Sequence, residues 1–240
     1  IGRITKTTHP DDTFATSSYL KGSLTYVDSN GHKKVEEKDI YGRVIKIKEY
    51  MGVFPSFKLY ATTTYEYNVL GNLTKVIDAN NNQTIINYDS LSRKTSMDDP
   101  DMGHWEYEYD ANSNLRFQTD AKLQRIEFQY DELNRIKKKV YPDTTYIEYK
   151  YDETFSTNPK GRLTTLIDSS GTEKFYYDKL GRTAKTVKTI DAVDYIIETT
   201  YDSLGRIETI KYPDNTPIKY EYDTGGNLYL VKNTSNGAVY

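Results

Sequence analysis

Eight times in this chain a tyrosine is followed by aspartate or asparagine, and the pairs recur at a nearly fixed interval. They begin at Tyr67, Tyr88, Tyr109, Tyr130, Tyr151, Tyr177, Tyr201 and Tyr222, so successive tyrosines lie 21, 21, 21, 21, 26, 24 and 21 residues apart. Self-similarity at a fixed period marks a repeat architecture, in which one supersecondary unit cannot bury its apolar face alone and must stack on its neighbours. The residues after each pair keep the register. The acid is Asp89, Asp110, Asp131, Asp152, Asp178, Asp202 or Asp223, with Asn68 in the first copy. Three residues past the tyrosine stands Leu70, Leu91, Leu133, Leu180 or Leu204, and four past it Gly71, Ser92, Ser113, Asn134, Gly181, Gly205 or Gly226. The fifth position is Asn72, Arg93, Asn114, Arg135, Arg182, Arg206 or Asn227, and the sixth is mostly aliphatic.

Each unit reads as a β-hairpin. The residues leading into the tyrosines alternate, as in Trp105-Glu106-Tyr107-Glu108-Tyr109 and Ile147-Glu148-Tyr149-Lys150-Tyr151, and a period of two with one apolar face predicts a half-buried strand. Asp-x-Leu-Gly-Arg/Asn is turn chemistry, because aspartate bonds its own backbone two residues on and glycine accepts a positive φ. An aliphatic residue then opens the return strand, which ends in a second turn such as Pro142-Asp143-Thr144. No helix-period stripe competes. An isolated hairpin is marginal in water, so the units are expected to pair edge to edge into one continuous antiparallel sheet of roughly eighteen strands. That is more than an open sheet holds without curling, and it can curl on itself, spiral into a shell or pack against more of the same protein. The fold class is all-β, built from tandem hairpin repeats.

The array is expected to run over 1–240 as a single domain. Residues 1–66 read as diverged repeats, with a degenerate copy at Asp39-Ile40-Tyr41-Gly42-Arg43-Val44 and half a copy at Gly2-Arg3-Ile4. Residues 67–240 are regular, with insertions near 153–159 and 189–194. Lys+Arg 32 against Asp+Glu 35 leaves a net charge of −3, which lacks the basic excess of a nucleic-acid binder. With no cysteine, disulfides, thiolate metal sites and a thiol nucleophile are excluded. No apolar run reaches the 18 residues of a membrane-spanning helix candidate, and no membrane insertion by this segment is expected. The chain opens at Ile1 without a charged-then-apolar leader, and reads as a piece of something longer or a mature product.

The Tyr-Asp-x-Leu-Gly-Arg-Leu signature, carried over nearly the whole chain, resembles the YD-repeat, or Rhs, family. That family includes bacterial Rhs proteins, wall-associated proteins, the B and C components of insecticidal toxin complexes, and teneurins. The resemblance implies a sheet spiralled into a hollow shell, which in bacterial members encloses a toxin, and in some descriptions carbohydrate binding. It implies a non-catalytic structural segment of a large secreted or cell-surface protein, partnered by the remainder of a longer polypeptide or by an encapsulated cargo polypeptide. The Pro-rich, Tyr-Thr-Gly-type segment of the family's C-terminal core is not found, so the expectation is a section of wall.

No catalytic constellation emerges, and no enzyme, cofactor or metal is expected. His9, His32 and His104 are far apart and each sits beside a turn residue. Asp110-Ala111-Asn112-Ser113-Asn114 resembles the start of a calcium loop, but Leu115 stands where the sharp turn needs glycine and Ala121 where a bidentate acid belongs. Asp98-Asp99-Pro100-Asp101 reads as an acidic turn rather than an acid/base pair. The repeated arginines and aspartates are expected to form charge-assisted bonds within or between hairpins. The rival reading is an adhesion module that stacks glycans on exposed aromatics, with Trp105, Tyr107, Tyr149 and Tyr220 as the candidate residues.

Overall fold

A computed structural model describes residues 2–52 and 54–240, and among them the regular elements are all strands. The chain falls into two compact units, Ile1–Glu108 with Gln118–Leu123, and Tyr109–Phe117 with Gln124–Tyr240. The first holds β1 (Lys6–Thr8), β2 (Phe14–Leu20), β3 (Ser23–Val27), β4 (Lys33–Lys38), β5 (Val44–Met51), β6 (Lys58–Tyr67), β7 (Leu73–Ile77), β8 (Gln83–Tyr88), β9 (Lys94–Asp99) and nearly all of β10 (Gly103–Tyr109). The strand β11 (Leu115–Thr119) contributes residues to both units. The second holds β12 (Arg125–Tyr130), β13 (Ile136–Val140), β14 (Tyr146–Tyr151), β15 (Leu163–Asp168), β16 (Gly171–Tyr177), β17 (Thr183–Ile190), β18 (Val193–Tyr201), β19 (Ile207–Lys211), β20 (Pro217–Tyr222) and β21 (Leu228–Asn233).

Those 21 strands exceed the roughly eighteen expected, because the diverged N-terminal stretch alone supplies six of them, β1 to β6. In each unit neighbours in sequence pair antiparallel, from β1–β2 to β9–β10 and from β12–β13 to β20–β21. At seven of the tyrosines of the Tyr-Asp/Asn pairs the register slips: between Glu66 and Tyr67, Asn87 and Tyr88, Gln129 and Tyr130, Lys150 and Tyr151, Tyr176 and Tyr177, Thr200 and Tyr201, and Glu221 and Tyr222. A bulge leaves one residue unpaired and re-aims the strand, and here it delivers each tyrosine to the turn. The second insertion is not a loop. It lengthens β17 and β18, which meet across a two-residue turn at Asp191 and Ala192, both with positive φ.

Cross-strand partners share a face, which sorts the side chains without ambiguity. In the first unit Tyr65 faces Val76, and Met97 faces both Ile86 and Trp105. In the second Tyr149 faces Leu166, Ile210 faces Ile218, and Tyr220 faces Val231. The opposite faces carry charge: Glu37 beside Lys46, Lys138 beside Glu148, and Glu198 between Lys185 and Lys211. The side chains of the apolar faces are mostly half-buried. Among the described residues only Ala15, Val187 and Ile218 are buried hydrophobics, so stability is spread over strand-to-strand contacts rather than held in a central core.

Candidate functional site

The recurring feature with the most chemistry is the Tyr-Asp turn and its link to the next hairpin. In the turn at Tyr130, one Asp131 carboxylate oxygen accepts the backbone N–H groups of Leu133 and Arg135, both at 2.9 Å, while the other accepts Arg135 Nε at 2.7 Å. The Asp131 N–H donates to the Arg135 carbonyl at 2.9 Å and the Asn134 N–H to the Asp131 carbonyl at 3.0 Å. Asp39, Asp89, Asp178 and Asp202 repeat the pattern with Arg43, Arg93, Arg182 and Arg206. The residue before the arginine or asparagine is left-handed in each regular turn, from φ 59° at Asn134 to 88° at Gly71. Glycine takes that conformation at no steric cost, whereas Ser92 and Ser113 hold it only because the turn's bonds fix the backbone around them.

The arginine then reaches the following hairpin. Arg43 lies 4.7 Å from the centroid of the Tyr67 ring, Arg135 4.2 Å from Tyr151, Arg182 4.3 Å from Tyr201, and Arg206 4.2 Å from Tyr222. The same tyrosines donate their hydroxyls to the carbonyl of the residue just past that arginine: Tyr67 to Val44 at 2.9 Å, Tyr151 to Ile136 at 2.9 Å, Tyr201 to Thr183 at 2.8 Å and Tyr222 to Ile207 at 2.9 Å. Tyr88 and Tyr130 donate likewise to Leu73 and Leu115. Tyr67, Tyr151, Tyr201 and Tyr222 are thus held by ring and hydroxyl, a clamp between consecutive hairpins. The half copy at the start obeys the same rule, with Arg3 5.0 Å from the Tyr19 ring centroid and the Tyr19 hydroxyl on the Ile4 carbonyl at 3.1 Å. Arg135 also binds Asp152 of the next turn at 2.8 Å.

Where asparagine replaces arginine, its amide takes over the bond to the acid: Asn114 Nδ2 to Asp110 at 3.0 Å and Asn227 Nδ2 to Asp223 at 3.2 Å. The first copy breaks this rule. Asn68 offers its one amide oxygen to the Leu70 and Asn72 backbone N–H groups, both at 3.0 Å, and the buried Asn72 Nδ2 has no partner. A buried donor without an acceptor costs about 1–3 kcal/mol. Asn68→Asp supplies the second oxygen that every other turn has, and is expected to raise unfolding stability by about 1 kcal/mol. Equal denaturation midpoints for parent and variant would contradict this.

Hydrogen bonds hold the turn aspartates below the usual carboxylate range. For Asp89 and Asp131 the largest contribution lowering the pKa is the backbone N–H of Arg93 and Arg135; for Asp110 it is the Asn114 side chain. A carboxyl whose folded pKa is depressed adds stability that is complete above the unfolded value, 3.8 here, and is lost as pH falls through the folded one. Thermal midpoints are therefore expected to stay flat from neutral pH to about 5 and to fall below about 4. A midpoint unchanged at pH 3 would remove the carboxylates from the account.

The remaining candidates are dispersed. Trp105 and Tyr107 lie half-buried on the apolar face of the first unit, where the indole N–H donates to the Met102 carbonyl at 3.1 Å and Lys94 Nζ sits 4.5 Å from the Tyr107 ring centroid. Tyr149 and Tyr220 lie half-buried on the apolar face of the second. Asp98 and Asp99 serve separate partners: Asp98 binds His104 Nδ1 at 2.7 Å, while Asp99 accepts the Thr84 hydroxyl and caps its own turn. His104 is the second residue of β10, an exposed strand residue opposite Asp98, whose hydrogen bond raises its pKa. Among the described residues no group of three or more His, Asp or Glu side chains is gathered as a metal would need. The leucines of the repeat sit at the turn tips, with Leu70, Leu91, Leu133, Leu180 and Leu204 between 64% and 76% exposed.

No protein-family model matches the chain, and no curated protein matches it. Solved structures do. The crystal structure of TcdB2-TccC3-Cdc42 aligns over 99% of this chain with a TM-score of 0.78 at 15% identity, and that of TcdB2-TccC3 without its hypervariable C-terminal region gives the same values. The crystal structure of TcdB2-TccC3-TEV gives a TM-score of 0.76 at 15% identity over 99% of the chain. The chain spans 14% of the length of those chains. At this identity the likeness is one of fold.

Proposed function

We propose that the chain is a non-catalytic wall segment of a YD-repeat (Rhs-type) protein, secreted or displayed on a cell surface, that encloses or presents another polypeptide. One observation carries the reading: apolar sheet faces with only three buried hydrophobic side chains among the described residues, a surface built to be covered. The Tyr-Asp signature and the fold shared with TcdB2-TccC3 support it independently of each other. Light scattering and electron microscopy of the longest natural polypeptide containing this segment test it. A hollow particle with the segment in its wall and a protease-protected interior is expected. A compact, filled particle, or separate globular domains, would overturn it.

The half-exposed aromatics on the apolar faces favour a second reading, carbohydrate binding at Trp105 and Tyr107 or at Tyr149 and Tyr220. A glycan array with no hits ends that reading, whereas hits lost in Trp105→Ala would establish it.

A further inference from the structure

In the regular repeats the space between consecutive turns is filled from both sides, by the arginine or asparagine of one hairpin and the tyrosine of the next. At one place in the first unit both are missing. Pairing of Ser23 with Glu37 puts Gly22 opposite Lys38, and the Lys38 N–H donates to the Gly22 carbonyl at 2.7 Å. Pairing of Lys138 with Glu148 likewise puts Arg135 opposite Tyr151. Gly22 therefore stands in the arginine position and Lys38 in the tyrosine position. The tight turn from Leu20 to Ser23 replaces the longer Tyr-Asp turn.

The double loss leaves a cleft of about 440 Å³, walled by Tyr19, Leu24 and Ile40 and flanked by Arg3 and Lys38. That volume falls within the range of about 300–1,000 Å³ common for small-molecule sites. Arg3 and Lys38 form no ion pair among the described residues. The one acid at the rim, Asp39, is already neutralised by Arg43, whose Nε and Nη2 both lie 2.7 Å from its carboxylate. The cleft thus offers apolar walls and two uncompensated positive charges.

We propose that this cleft is a binding site for an aromatic ring bearing a carboxylate, either a free aromatic acid or the C-terminal aromatic residue of a polypeptide. The ring takes the place that tyrosine fills in the other hairpins, and the carboxylate meets Arg3 and Lys38.

Isothermal titration of the whole chain with 4-hydroxyphenylacetate, and separately with the dipeptide Gly-Tyr, tests this. Saturable binding of at least one is expected, and the tighter of the two identifies the source. Affinity for p-cresol, which has the ring without the charge, and for acetate, which has the charge without the ring, is expected to be at least about tenfold weaker. Lys38→Tyr restores the repeat's own residue and is expected to weaken binding about tenfold or more with an unchanged circular dichroism spectrum. Lys38→Met leaves the cleft open, and is expected to weaken binding of the acid about two- to fivefold while leaving p-cresol unaffected. Failure of both probes to bind would overturn the proposal, as would undiminished binding by Lys38→Tyr, or Lys38→Met weakening p-cresol as much as the acid.

Discussion

Gly171→Ala is expected to lower the unfolding free energy by about 3–5 kcal/mol. Gly171 opens β16 at φ 139°, a conformation that L side chains rarely adopt. A Cβ there would also lie inside the van der Waals envelope of the Thr189 carbonyl oxygen. That oxygen belongs to backbone in β17, which is paired to β16 through Thr172 and Thr189 and to β18 through Thr189 and Asp194. No side-chain rotation relieves the overlap; two strands must separate. Gly161→Ala is the natural control. Gly161 also has a positive φ, 76°, but nothing lies within 4 Å of where its Cβ would stand. Its loss should be the conformational penalty alone, about 1–2 kcal/mol. Urea denaturation of both variants separates the two contributions, and equal losses would show that the crowding at Thr189 is relieved at no cost.

Arg135→Ala is expected to cost about 2–3 kcal/mol, because one guanidinium holds two turns together. It binds Asp131 at 2.7 Å within its own turn and Asp152 at 2.8 Å in the next, and lies against the Tyr151 ring. Its side chain is 26% exposed, so these bonds are only partly screened by water. Removal leaves two aspartates without their cation and a tyrosine ring uncovered. A double-mutant cycle with Tyr151→Phe measures whether ring and hydroxyl act as one unit: additive losses would mean that the guanidinium and the Tyr151 hydrogen bond to Ile136 are independent.

Much of this was legible in the residues. The alternation in Trp105–Tyr109 and Ile147–Tyr151 predicts strands where β10 and β14 lie, and the Asp-x-Leu-Gly-Arg spacing predicts the aspartate's bond to the backbone two residues on. The clamp was not foreseen, since it joins side chains of successive hairpins and depends on a bulge that composition does not announce. A numerical trace existed, because a period of 21 less an offset of 6 is the 15-residue separation of Tyr151 from Ile136. The strand count fell short because residues 1–66 keep the period-two pattern while losing the Tyr-Asp/Asn pairs that made the later units visible. The cleft beside Lys38 was half visible: the degenerate copy at 39–44 puts a lysine where tyrosine stands, but only the strand pairing shows that Gly22 lies across from it.

The clamps all gather at one margin of the hairpins, where the Tyr-Asp turns lie. The turns at the other margin, such as those capped by Asp28, Asp78, Asp143 and Asp214, chiefly bond to themselves. Within each unit the side-chain links between successive hairpins are therefore concentrated along one side, while the other side is held by the strand ladder and its own turns. Hydrogen exchange should show the asymmetry directly, with amides at the margin without clamps trading their protons sooner than those beside the tyrosines.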